Sequence, residues 1–337
     1  RHTRLVSDWS SDVCSSDLNL SELEEKLTNS FATSSTVSKY NKSPTLVSFR
    51  LQLGSDTKII NTILSAYKNY SKITPTPKIG LVIDYEKGKI SDVSEITAEI
   101  ISLGGRVIFS KGSTSNKGIT NVTEKGSGSL SIKLQSVSIN LPRLAFESNK
   151  DETYFRARLA LLMKPALSSM ALRMKDISDL TRRGLNPILA KNTQYMQRGS
   201  FSLILNLVGL REAVFNILGY EDNKEGKEVL HKVIETAVDV AKKKGKELGD
   251  NVRICMTESE GSTRFATLDG EKYGKKSLLN TMETDSYSEG ISLNASEISE
   301  LSTKNEKIVE CNKIAKMLNG GLLVSLQFDK SAQVEDI

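Results

Sequence analysis

Apolar residues recur along residues 57–71 at Ile59, Ile60, Ile63, Leu64 and Tyr67, the three-to-four spacing of a single helix face. The spacing predicts a helix there. The Thr-Pro-Thr-Pro run at 74–77 ends it, because proline excludes the residue before it from the α conformation. IGLVID at 79–84 is a compact apolar run with a β-branched bias and reads as a strand. A turn containing Gly88 follows, then a helix near 91–103 closed by Gly104-Gly105, then a second strand, RVIFS, at 106–110. Strand, helix and strand within about 30 residues form a βαβ unit, which implies a parallel sheet. LVSFRLQL at 46–53 reads as a further strand.

Beyond this unit the periods change. LSIKLQSVSINLPRL (130–144) alternates and predicts a strand ending at Pro142. Residues 151–174 predict a helix with Phe155, Leu159 and Leu162 on one face and Pro165 as a kink or break. Another helix is expected over roughly 205–218. The clearest helix is 225–244, with Val229, Val233, Ala237 and Val240 as its stripe. Its Lys242–Lys244 run suits a helix C-terminus and reads as a solvated end. RICMT (253–257) is a short strand, and IVECNKIAKML is a helix that carries Cys311 into the core. Residues 19–45, rich in Ser, Thr, Asn and Lys, form a flexible segment with one short helix around Leu20, Leu23 and Leu27. Residues 110–131 hold six Ser and four Gly in 22 positions, which reads either as a surface linker or as an active-site loop.

With 38% hydrophobic and 26% charged residues, the chain is not collagen-like, mucin-like or wholly disordered. No apolar run reaches the roughly 18 residues of a membrane helix, so no membrane partner is expected. A net charge of +5 over 337 residues is too weak to imply nucleic acid. Residues 1–18, RHTRLVSDWSSDVCSSDL, repeat Ser-Asp at 7–8, 11–12 and 16–17 and look like translated sequencing adapter. They lack the apolar stretch of a signal peptide. Setting them aside discards Trp9, His2 and Cys14 and, with two Arg and three Asp, moves the charge from +5 to +6. It also suggests a fragment whose natural ends are missing. Cys255 and Cys311 make no disulfide framework, so a reducing, cytoplasmic setting is the default.

Familiar catalytic signatures are scarce: there is no CxxC, HExxH, P-loop or GxSxG. His231 is expected at a solvated helix edge, and Cys255 as a buried, inert thiol. TESEGSTRFATLDGEKYGK (257–275) follows a strand and gathers hydroxyls and a glycine into one turn. Backbone N–H groups in such a turn cradle anions, with Arg264 as a charged fork; an ordinary strand-to-loop turn explains it equally well. Asn140, in Asn-Leu-Pro-Arg at a strand end, offers a donor and an acceptor to a ligand. It also suits a plain turn before proline.

Taken together, several segments resemble the catalytic subunit of the class III, anaerobic ribonucleoside-triphosphate reductase, of the glycyl-radical family. VSINLPRLAFES (137–148) resembles its strand-plus-NLPR motif, SLILNLVGLREAVFNILGY (202–220) its GLVGLNEA helix segment, and MTESEGSTRFATLD (256–269) its TPAEG–RFA turn. The stretch from Thr281 through Gly321, with DSYSEGI and with NGGLLV running on to Val324, resembles its later segments, and the wording is closer to archaeal than to enterobacterial members. The order holds across 130–328.

The resemblance implies an α/β fold over 46–337, part of a ten-stranded barrel with a finger loop through its centre. It implies reduction of ribonucleoside triphosphates for DNA synthesis by glycyl and thiyl radicals, in a cytoplasmic homodimer charged by a radical-SAM activating enzyme. It makes Asn140 the ribose-side hydrogen-bonding residue, and Ser259, Glu260, Gly261, Ser262 and Thr263 the turn for the substrate phosphates. Two departures stand out. Residues 19–254 contain no Cys, although the thiyl cysteine belongs upstream of NLPR. The radical-glycine motif and the family's zinc-binding cysteines are not found by Ile337. A damaged record of a working enzyme and a non-catalytic, nucleotide-binding paralogue both fit these departures.

Overall fold

The computed structural model describes residues 19–40, 47–53, 56–74, 79–85, 89–110, 122–123, 131–185, 201–219, 223–257, 259, 261–274, 286–294 and 301–328. The chain divides into two compact units, residues 1–112 with 330–337, and residues 113–329.

In the first unit, α1 (Leu20–Tyr40) precedes β1 (Val47–Gln52), α2 (Thr57–Ile73), β2 (Ile79–Asp84), a 3-10 turn (Ile90–Val93), α3 (Ser94–Ser102) and β3 (Val107–Ser110). The strands form a parallel sheet in the order β1-β2-β3, with Leu51 opposite Ile83 and Leu81 opposite Val107. The expected βαβ unit is therefore present. Asp56 caps α2 by accepting from the Lys58 N–H at 2.8 Å. The buried stripe of α2 carries Leu64, Tyr67 and Tyr70, and Phe31 of α1 meets both tyrosine rings at 5.8 and 5.9 Å. The Tyr67 hydroxyl donates to Ile79 O at 2.6 Å, and burial pushes its pKa up to about 12. Helix α1 is much longer than the short helix expected. Its Ser and Thr hydroxyls close back on the preceding turn, as Thr28 to Glu24 O, Ser30 to Lys26 O and Thr33 to Asn29 O.

The second unit holds β4 (Val122–Thr123), β5 (Ser131–Asn140), α4 (Leu141–Ser148), α5 (Glu152–Arg182), β6 (Phe201–Val208), α6 (Leu210–Leu218), α7 (Lys224–Leu248), β7 (Val252–Met256), α8 (Gly261–Tyr273), β8 (Ile291–Asn294), α9 (Leu301–Met317), β9 (Gly321–Leu322) and β10 (Val324–Gln327). Its main sheet runs β4-β5-β6-β7-β9, with β4 antiparallel and the other pairs parallel; β8 and β10 form a separate parallel pair. Side chains alternate across a strand. Ile139, Leu203, Leu205, Leu207, Ile254 and Met256 thus face one core, packed on Phe155, Leu159, Met163 and Leu167 of α5 and Val229, Val233 and Ala237 of α7.

Four expectations change here. The stretch from 205 is strand before it is helix: β6 fills 201–208, and Gly209, at φ +72°, turns the chain into α6. Strand β5 stops at Asn140, so Leu-Pro-Arg begins α4 with proline in its first turn, where a missing N–H costs nothing. Helix α5 runs unbroken past Pro165, which lies on its exposed side. Residues 261–273 are a helix and not a loop.

Candidate functional site

The parity that buries leucines on one face of the main sheet turns polar groups to the other. Ser138, Asn206 and Cys255 stand opposite one another on β5, β6 and β7. Asn206 is buried, and both ends of its amide are engaged. Its Nδ2 donates to Thr257 O at 2.8 Å, and its Oδ1 accepts from the Thr257 N–H at 2.9 Å. The β6–β7 register ends at Asn206–Cys255, so the side chain extends the ladder where backbone pairing stops. The Cys255 thiol, buried as expected, donates to the same Oδ1 at 3.4 Å.

Asn140 ends β5 and caps α4, its Oδ1 accepting from the Arg143 N–H at 3.1 Å. Its Nδ2 donates to Asp269 Oδ2 at 2.8 Å. Asp269, on α8, is 0% exposed. Its Oδ1 accepts from Arg143 Nε at 2.6 Å and Nη2 at 2.5 Å, and its Oδ2 accepts from the Tyr287 hydroxyl at 2.9 Å. Burial raises the Tyr287 pKa, and the Asp269 charge raises it further. Asn, Arg, Tyr and Asp thus form one hydrogen-bonded cluster at the carboxyl end of β5.

The hydroxyl-rich turn sits beside it. The Ser259 and Ser138 hydroxyls share a hydrogen bond of 2.7 Å, which ties the turn to β5. Ser259 Oγ accepts from the Gly261 N–H at 3.0 Å, and the buried Ser262 hydroxyl donates to Ser259 O at 3.4 Å. The Ser259 N–H donates to Glu289 Oε1 at 2.9 Å, so a carboxylate already occupies one anion-binding donor of this turn. Gly261 admits the chain closely: a Cβ there would lie 3.1 Å from Ser259 Oγ. Thr263 and Arg264 are exposed at the start of α8. Of the residues singled out in the sequence, Asn140, Ser259, Gly261 and Ser262 are drawn together, Thr263 lies on the outer side, and Glu260 lies outside the described residues.

Residues 287–290 knit these parts. Ser288 N and Oγ both donate to the buried Glu212 of α6 at 2.6 Å, and Ser288 O accepts from the Gly209 N–H at 2.9 Å. Glu289 bridges to Val208. Sequence reasoning missed Asn206, Asp269, Tyr287 and Glu289. The one available signal was a lone Asn inside the apolar run SLILNLV. His231 is not at a solvated edge: its ring is 12% exposed and bonds Glu310 of α9 at 2.7 Å. Cys311 is half-buried and not fully in the core. Among the described residues, no group of three or more His, Cys, Asp or Glu is placed to hold a metal ion.

Parallel strands with helices packed on the apolar face of the main sheet, and polar side chains gathered at the strands' carboxyl ends, define an α/β protein. A family model described as anaerobic ribonucleoside-triphosphate reductase matches residues 66–336, and the chain belongs to that family. A stretch of 158 residues is 28% identical to the anaerobic ribonucleoside-triphosphate reductase of Haemophilus influenzae, covering 41% of this chain and 22% of that protein. The anaerobic ribonucleotide reductase of Thermotoga maritima, solved with dATP in its specificity site, superposes with a TM-score of 0.56 at 15% identity, over 91% of this chain and 62% of that one. The Thermotoga maritima structure with dATP and CTP gives a TM-score of 0.54 at 16% identity, over 91% of this chain and 61% of the other. The chain therefore spans about three fifths of these structures. The likeness bears out the α/β class with parallel sheets; among the described residues neither unit's sheet closes on itself.

Proposed function

We propose that this chain is the nucleotide-handling part of an anaerobic ribonucleoside-triphosphate reductase, acting in the cytoplasm. The observation that carries the reading is the joining of Asn140, through Asp269 on α8, to the hydroxyl turn that opens the same helix. In α/β sheets ligands bind outside the carboxyl ends of strands. Asn140 has one N–H and one lone pair left for a ribose hydroxyl. Ser259, Glu260, Gly261, Ser262 and Thr263 are assigned to the phosphates. The Ser259 N–H, once Glu289 gives way, and the exposed Thr263 hydroxyl at the start of α8 act as donors to an anion. The reaction is reduction at the ribose 2′-carbon: the C–OH bond breaks, the hydroxyl leaves as water, a C–H bond forms in its place, and an external reductant supplies the two electrons and two protons this takes. A glycyl radical made by a radical-SAM activating enzyme would supply the hydrogen-abstracting equivalent, and a homodimer is the assembly expected of the family. The family's zinc site has no donor set among the described residues, and no step is assigned to it.

Titration calorimetry of ribonucleoside triphosphate into the purified chain tests this. Ser262→Ala combined with Thr263→Ala is expected to weaken binding at least fivefold. Equal affinity discards the phosphate turn, and absence of binding by the folded chain discards the reading. The second reading, a nucleotide-binding paralogue without radical chemistry, is favoured by the Cys-free stretch 19–254. An O–H bond is too strong for Ser to replace the thiol. Sequencing an intact copy of the gene separates the two: a Cys codon upstream of Asn140 supports the reductase, and its absence supports the paralogue.

A further inference from the structure

We propose that Asp269 is a positioning residue of this site: its buried carboxylate holds the Asn140 carboxamide in the orientation that presents an N–H and an oxygen lone pair to a ribose hydroxyl. The proposal rests on the nucleotide reading above.

A carboxamide is nearly symmetric in shape, so packing alone does not choose between its two flipped forms; hydrogen bonds must. Two partners choose here. The Arg143 N–H is a donor and requires an oxygen opposite it, and it donates to Oδ1 at 3.1 Å. The Asp269 carboxylate, an acceptor on both oxygens, meets Nδ2 at 2.8 Å. A flipped amide would set NH2 against N–H and C=O against carboxylate. Asp269 therefore doubles the constraint imposed by the helix cap, and it comes from a residue 129 positions away on a different element.

The carboxylate is itself held in place. With no exposed surface, it would be costly to bury without partners. The two oxygens divide the work: Oδ1 takes the Arg143 guanidinium through Nε and Nη2, and Oδ2 takes the Asn140 amide and the Tyr287 hydroxyl. The guanidinium balances the charge, and three elements fix the carboxylate plane. An asparagine at 269 has only one acceptor oxygen for these two sets of donors. Its NH2 must oppose either the guanidinium or the Asn140 Nδ2; keeping its oxygen on the charged guanidinium is favoured, and that orientation releases the Asn140 amide from one of its two restraints.

The test is titration calorimetry on the full chain with ATP, 2′-deoxy-ATP and inorganic tripolyphosphate as probes. Wild type is expected to prefer ATP over 2′-deoxy-ATP, and Asn140→Ala is expected to abolish that preference. Asp269→Asn is expected to cut it at least fivefold while tripolyphosphate affinity stays within twofold. Should Asp269→Asn not fold, Asp269→Glu, which keeps the charge and shifts it by one methylene, is read in the same way. A full preference in the Asp269 variant, with Asn140→Ala having lost it, overturns the positioning role and leaves the nucleotide reading intact. An equal loss of tripolyphosphate affinity in the Asp269 variant means general collapse and also overturns it. Absence of any ribose preference in wild type removes the Asn140 assignment, and the proposal falls with it.

Discussion

Asn206→Ala isolates what a single side chain contributes where the β6–β7 ladder ends. Asn206 satisfies both the N–H and the C=O of Thr257, a residue only 3% exposed, at 2.9 and 2.8 Å. Removing the amide leaves two buried backbone groups without a partner, at roughly 1–3 kcal/mol each. Water entering the vacated space offsets part of that, so a net loss of about 2–4 kcal/mol is expected. With a urea m-value near ~3 kcal/mol per molar for a unit of this size, the midpoint should fall by about 1 M. Circular dichroism at the helix band reads this directly. Amide exchange gives the local check. The Thr257 N–H should exchange faster by about tenfold for each 1.4 kcal/mol lost, while amides of the first unit keep their protection. Asn206→Asp makes a sharper comparison: it keeps an acceptor for the Thr257 N–H but sets an oxygen against Thr257 O, and should destabilise at least as much. A midpoint shift below about 0.2 M in the alanine variant, with unchanged exchange at Thr257, would refute the claim that this side chain completes the ladder.

The backbone turn and the buried phenols give two further tests. Gly209→Ala places a Cβ 2.5 Å from Pro142 Cγ and 2.6 Å from its Cδ, at a φ of +72°. A loss of about 2 kcal/mol or more is expected, seen as a Tm lower by roughly 4–8 °C; a Tm within one degree of wild type, about the noise of a melt, contradicts it. Tyr67 is held neutral up to a pKa of about 12, whereas the unfolded chain ionises it near pH ~10. Above that pH the folded state retains more protons than the unfolded one, so its contribution is intact below pH ~10 and is lost as pH rises toward the folded value. Urea midpoints at several alkaline pH values should decline less steeply in Tyr67→Phe than in wild type, and parallel declines would show that Tyr67 is not the group responsible.

Much of the scaffold is legible in the sequence because local pattern and burial agree. IGLVID is apolar throughout and is buried throughout as β2; the valine stripe of α7 is the face that packs. The failures occur where that agreement breaks. SLILNLV is a short, mostly apolar run, too short for periodicity to separate a buried strand from a helix, and only the turn at Gly209 divides β6 from α6. Helix α8 buries Ser262, Ala266, Asp269 and Gly270, and a polar inner face leaves no apolar stripe to read. Helix α1 hides its helicity in hydroxyl side chains that satisfy its own carbonyls.

The site divides along the same line. The sequence by itself singled out the candidate segments, Asn140 before Leu-Pro-Arg and the hydroxyl turn from Ser259 to Thr263, and the family to which their order points. These are local features, set by residue type and spacing. Only the tertiary structure decided their partners: Asp269 for Asn140, Ser138 for Ser259, Glu289 for the turn's N–H, and Asn206 for the end of the ladder. Those pairs are 30 to 129 residues apart. A carboxylate's solution chemistry is the same wherever it stands in the chain, and becomes specific only when folding removes the water and leaves it a particular amide, guanidinium and phenol.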